Sequence, residues 1–119
     1  MSDSSSEPSF FAGNRGTSPE ISVQQAQQMI ADGAAFVDVR ETWEFDRAHA
    51  TGAVNIPLGT LPQHAQDFAG SSAVVVICAS GNRSRFGANI IRSAGTPAYS
   101  VIGGTEDWME LGGPMTFSE

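Results

Sequence analysis

Lysine is absent from this 119-residue chain, and arginine supplies all six basic groups against thirteen acidic ones. The net charge of −7 argues against partners such as nucleic acid or an anionic membrane, since both require clustered positive charge. Cysteine occurs once, as Cys78. A lone thiol excludes an intrachain disulfide, a cysteine cage around zinc and a resolving cysteine in the same chain. No apolar run approaches bilayer-spanning length, and the N-terminus lacks the basic-then-apolar order of a secretory signal. The expectation is a cytoplasmic protein that does not enter a membrane.

What is present suits one domain with a genuine core: 40% hydrophobic and 16% charged residues. Residues 1–18 are rich in Ser, Gly and Pro, with Phe10 and Phe11 their main apolar members, and read as a flexible tail before a domain over 19–119. Glu20 to Ser22 reads as a short edge strand, with Ser22 placed to cap a helix over Val23–Asp32. That helix sets Val23, Ala26, Met29 and Ile30 on one face and stops at Gly33. A buried strand follows over Ala34–Val39, then a short helix over Glu41–Arg47 with Trp43 and Phe45 turned inward. Gly52–Pro57 reads as another short strand and Thr60–Phe68 as a weaker helix. Strand Ala73–Ile77, helix Arg83–Ala94, strand Ala98–Ile102 and a helical turn or two over Thr105–Glu110 complete the series. Gly112-Gly113-Pro114 is expected to end the fold. Alternating strands and helices call for an α/β fold, a mainly parallel sheet with helices on both faces, and ligands bind beyond the carboxyl ends of such strands.

Cys78 stands at such an end. Four β-branched residues, Val74-Val75-Val76-Ile77, lead into it, and a loop of small and polar residues, Ala79-Ser80-Gly81-Asn82, leads away to Arg83. Gly81 permits the loop to curl with its N–H groups inward. The N-terminus of the following helix and the nearby Arg83 and Arg85 favour the ionised thiol. Cys78 is therefore the candidate nucleophile. His49 reads as structural, His64 as surface, and Trp108 as core or rim packing. Asp38, at a neighbouring strand end, is placed to accept loop hydrogen bonds or pair with an arginine. Arg40 is as readily a solvated partner of Glu41 or Glu44.

Four segments in order carry a family resemblance: Cys78-Ala-Ser-Gly-Asn-Arg83-Ser84, Val37-Asp38-Val39-Arg40-Glu41 with Glu44, Ala48 through Pro57, and Gly103-Gly104 followed by Trp108 and Gly112-Gly113-Pro114. Across about Glu20 to Pro114 the chain resembles the single-domain rhodanese-type sulfurtransferases. The resemblance implies a rhodanese-like three-layer sandwich around a sheet of about five strands, and covalent catalysis with no metal or cofactor. Cys78 would take sulfur from a small anionic donor such as thiosulfate. Loop residues Ala79, Ser80, Gly81, Asn82 and Arg83 would hold the resulting persulfide, with Asp38, Arg40 and Ser84 in support. An external thiol (glutathione, thioredoxin or another protein thiol) or cyanide would discharge it. Arg83 would either orient the donor or fold back to brace the loop. Asn82 is neutral where some relatives place a basic residue, which leaves donor preference open.

Two other readings stand beside this one. Certain cell-cycle phosphatases share the fold but carry Cys-x-x-x-x-x-Arg, whereas the sixth residue after Cys78 is Ser84 and the arginine comes one earlier. The shorter loop suits a sulfur atom rather than a tetrahedral phosphate. The third reading is a non-catalytic or sulfur-carrying module that acts with a partner protein.

Overall fold

The β-branched run before the thiol becomes the middle of the sheet. In the computed structural model of the protein, which describes residues 19–118, β5 (Val74–Ile77) is buried along its whole length. Before it come β1 (Glu20–Ile21), α1 (Val23–Ala31), β2 (Ala35–Asp38), α2 (Thr42–Arg47), β3 (Ala48–Ala50) and β4 (Val54–Asn55). After it come α3 (Arg83–Ser93), β6 (Ala98–Val101), α4 (Gly104–Glu110) and β7 (Met115–Phe117). Five strands form the main sheet in the order β1-β6-β5-β2-β4, and every pairing is parallel. The expected tail over residues 1–18 lies outside the described residues. Among the described residues, no helix is long and apolar enough to cross a membrane.

The period-two alternation of β5 divides the core. Val75 and Ile77 join Phe36 and Val101 beneath α1 and α4, which contribute Val23, Ala26 and Trp108. Val74, Val76 and Cys78 face the other way, with Val37 and Val39, beneath Ala88 and Ile91 of α3 and Leu61. Cys78 thus belongs to the α3 side. That helix lies close on the sheet: a Cβ at Gly87 would come within 3.2 Å of methyls on Val39 and Val76. Ser22 caps α1 as expected, its hydroxyl accepting from Gln25 N–H at 3.0 Å while the Gln25 side chain accepts from Ser22 N–H at 2.8 Å. Trp108 is buried against Phe36, with ring centroids 5.2 Å apart, and donates its indole N–H to Pro114 O at 2.8 Å.

Four expectations need correction. The stretch Thr60–Phe68 is not one helix but two 3₁₀ turns, Leu61–Gln63 and Ala65–Phe68, with the break at His64, whose φ of −114° leaves the helical range; Pro62 sits in the first turn, where its missing N–H costs nothing. The predicted strand over Gly52–Pro57 contracts to the two residues of β4. Gly112-Gly113-Pro114 turns the chain rather than ending the fold, and β7 returns antiparallel to β3. A three-residue strand such as Ala48-His49-Ala50 is too short to leave a readable alternation. Finally, Trp43 points outward and is 63% exposed. Phe45 alone packs inward on α2, its ring stacked 3.7 Å from that of His49. The His49 Nδ1–H donates to Phe45 O at 2.8 Å, the structural role expected of it.

Candidate active site

Cys78 follows the last residue of β5 and is 1% exposed. Its sulfur accepts the Gly81 N–H at 3.1 Å and lies 3.4 Å from the Ser84 hydroxyl. Gly81 has φ +107°, and this left-handed turn brings its N–H back onto the residue three before it. Ser80 and Asn82 are exposed and Gly81 is buried, so the cover over the sulfur is a single loop. The N–H groups of Ala79, Ser80, Asn82 and Arg83 meet no protein acceptor among the described residues. Asn82 occupies the N-cap position of α3, yet its side chain makes no capping bond. It accepts instead from Arg85 Nη2 at 3.4 Å, leaving the first N–H groups of the helix without a side-chain cap.

The beginning of the loop is clamped from α4. Both the backbone N–H and the hydroxyl of Thr105 donate to Cys78 O, at 2.8 and 3.0 Å, and Glu106 N–H donates to Ala79 O at 3.1 Å. Gly104, at φ +60°, makes this approach possible: a Cβ there would lie 2.5 Å from Cys78 O and 2.6 Å from Ala79 O. The Gly103-Gly104 pair seen in the sequence is therefore the place where two backbones meet.

Arg83 turns toward α2. Its guanidinium binds Glu44 of α2 through two bonds, Nη1 to Oε1 at 2.8 Å and Nη2 to Oε2 at 3.0 Å. Glu44 Oε1 also accepts the N–H of Glu41 at 2.9 Å. The hydrogen bonds from Arg83, outweighing the upward push of burial, hold the Glu44 carboxyl at about 2, against an ordinary value of 4.5. Arg83 is pushed up in turn, first by the hydrogen bond to Glu44. A depressed carboxylate contributes stability above its ordinary range and loses it as pH falls through the folded value. Glu44→Gln is therefore expected to flatten the acid dependence of thermal stability between about pH 4.5 and 2, read from melts across that range. Parallel melting curves for the variant and the parent would show that the pair contributes nothing. Arg85 sits 3.9 Å from Glu20 with both side chains exposed, a pair worth little.

Arg40 does not pair with Glu41 or Glu44. Asp38 is fully buried, and a buried carboxylate requires a charged partner. Arg40 turns back to it, with Nε 3.1 Å from both carboxylate oxygens and Nη2 2.9 Å from Oδ2. Arg40 Nη2 also donates to Ala48 O at 2.7 Å, tying the end of β2 to β3. Asn55, which sequence reasoning passed over, donates to Asp38 O and Arg40 O at 3.1 and 3.0 Å. Neither Asp38 nor Arg40 is bonded to the thiol loop; they fix the backbone beside it. Arg40 also reaches a cleft of about 300 Å³ that opens next to Ala79 between α2 and α4, walled by Trp43, Met109 and Met115 with Arg47 and Glu106.

Residues 22–111 match the rhodanese-like domain. Thiosulfate sulfurtransferase GlpE of Tolumonas auensis is 38% identical over 93 residues, covering 76% of this chain and 88% of that protein. YrkF, a candidate sulfur carrier protein of Bacillus subtilis, is 33% identical over 98 residues, covering 80% of this chain and 53% of that protein. The chain thus spans about half the length of YrkF. Among solved structures, a rhodanese-related protein from Thermoplasma volcanium superimposes with a TM-score of 0.74 at 28% identity, covering 82% of this chain and 97% of that one. With the match running from α1 through α4 and the thiol loop seated at the end of the central strand, the chain belongs to the rhodanese-like domain family.

Proposed function

We propose that the protein is a sulfurtransferase working through a persulfide on Cys78. The thiolate attacks the outer sulfur of a sulfane donor such as thiosulfate; the donor's S–S bond breaks and sulfite leaves with its electron pair. The terminal sulfur of the new persulfide is held by the N–H groups of Ala79 to Arg83. An acceptor thiol or cyanide then attacks that sulfur and returns Cys78 to its thiolate. Two-step covalent transfer of this kind needs an ionised nucleophile and donors already aimed at the developing charge.

One observation carries this reading over a phosphatase. The loop is one residue short for phosphate, and its arginine is committed to Glu44 rather than left as a clamp for an oxyanion. The N–H groups of the loop supply the anion site instead. Kinship with GlpE, named a thiosulfate sulfurtransferase, supports the donor class. The likeness to YrkF favours a second reading, in which the persulfide is passed to a partner protein rather than to a small acceptor. Since the chain has no second cysteine, discharge requires an outside nucleophile under either reading. The cleft beside Ala79, with Trp43 and Met109 at least half exposed, gives such a nucleophile a way in.

The test is direct. Given thiosulfate and cyanide, the purified protein should release sulfite and thiocyanate while leaving an aryl phosphate intact. Phosphate release without sulfur transfer would overturn the proposal. Fast loading by thiosulfate with slow discharge by every small thiol would favour the carrier form.

A further inference from the structure

Behind the thiol lies a second buried hydroxyl, that of Ser100 on β6. Ser84 Oγ, 3.4 Å from the sulfur, is also 2.7 Å from the hydroxyl of Ser100 on β6. Cys78 is 1% exposed and both serines are fully buried. Ser100 lies in register with Val76 on the strand beside β5, and Val76 shares its face of the sheet with Cys78. Among the described residues, the Ser100 hydroxyl meets no side chain but Ser84. A polar side chain inside an otherwise apolar strand carries a desolvation cost unless its hydrogen bond is made.

Proton counting gives this contact a direction. As a thiol, Cys78 donates to Ser84 Oγ at 3.4 Å while its sulfur accepts from Gly81 N–H. A thiolate has no proton, so its sulfur can only accept, and the Ser84 O–H then turns onto it. Ser84 has one proton, and once that proton faces the sulfur, the 2.7 Å contact between the serines can be bridged only by the proton of Ser100. We infer that Ser100 is a positioning residue for the nucleophile: its hydroxyl donates to Ser84, which turns the Ser84 proton onto the Cys78 sulfur and strengthens that bond. When the sulfur carries its own proton the order is free to reverse, with the thiol donating to Ser84 and Ser84 to Ser100. The pair adds no charge of its own to the core.

The charged groups around the thiol are Arg83 with its partner Glu44 on α2, Asp38 with Arg40 at the end of β2, and Glu106 on α4 at the cleft beside Ala79. Arg85 pairs away toward Glu20 on β1. Replacing Ser100 alters none of them.

Because Cys78 is the only cysteine, the ultraviolet absorbance of its thiolate, followed against pH and corrected for the Tyr99 phenolate through the longer-wavelength band that only the phenolate has, reports this group. A hydrogen-bond chain strengthens its members by roughly 10–30% per bond, so Ser100→Ala should move the midpoint of that titration upward by a few tenths of a pH unit. Ser84→Ala, which removes the direct donor to a charged atom, should move it by about one unit. Ser100→Thr should restore the parent midpoint, and adding Ser100→Ala to Ser84→Ala should change nothing further, since Ser100 acts only through Ser84. An unchanged midpoint in Ser100→Ala would overturn the inference, as would an equal shift in the absence of Ser84. Melting temperatures measured on the same variants separate packing from positioning: a purely structural Ser100 lowers stability and leaves the midpoint in place. The inference rests on Cys78 reacting as a thiolate, but its readout needs no sulfur donor, so it can fail while sulfur transfer stands, and the reverse.

Discussion

Cys78→Ser is expected to leave a folded protein with no sulfur transfer. The serine hydroxyl is isosteric enough to occupy the same buried place, and the Gly81 N–H and the Ser84 hydroxyl remain to satisfy it. Its melting temperature should therefore stay near that of the parent. An alkoxide is not formed under these conditions, and even if it were, an oxygen on the chain cannot form the persulfide on which transfer depends. The expected loss is the whole of the covalent route, roughly the 10⁶-fold or greater acceleration ordinary for enzymes. Assay of thiocyanate release, alongside a thermal melt, checks both halves. Residual transfer by the serine variant would mean that the loop, and not the thiol, performs the chemistry.

Arg40→Ala is expected to bring the largest loss of stability of any change near the site. It strips the partner from a carboxylate that is fully buried, and breaking a buried pair in this way costs about 3–5 kcal/mol. At roughly 4–8 °C per kcal/mol for a domain of about this size, the melting temperature should fall by more than 10 °C. The bond to Ala48 O is lost as well, which loosens the joint between β2 and β3. Replacing Asp38 and Arg40 together with apolar residues of similar volume should recover much of the loss, because no uncompensated charge then remains. A single-variant melt within about 1 kcal/mol of the parent would show that water reaches Asp38, contrary to its burial.

Much of the fold could be read from residues in sequence. The β-branched run Val74–Ile77 is a buried strand and Arg83–Ser93 a helix because each carries its own local pattern. The thiol loop was legible for the same reason: its composition and spacing lie within seven consecutive residues. What was not legible depends on residues brought together by folding. Arg83 finds Glu44, 39 positions away, and Ser84 finds Ser100, 16 away; no periodicity tells an arginine which carboxylate it will meet. The expected concentration of positive charge beside the thiol was accordingly overdrawn, since Glu44 offsets Arg83. Trp43 has the spacing of a core residue on so short a helix, but Phe45 takes the inward place and Trp43 is left at the rim of the cleft. A faint sign of Ser100 was present all the same: it is the one hydroxyl between Tyr99 and Val101 in a strand otherwise fit for burial.

The central claim is that Cys78 carries sulfur. Incubating the protein with thiosulfate, removing the excess and weighing the intact chain and its Cys78-containing fragment by mass spectrometry tests it most directly. The expected result is a gain of one sulfur atom on that fragment, absent in Cys78→Ser and erased by a thiol or cyanide. A folded protein that gains no sulfur from thiosulfate or any other sulfane donor would contradict it.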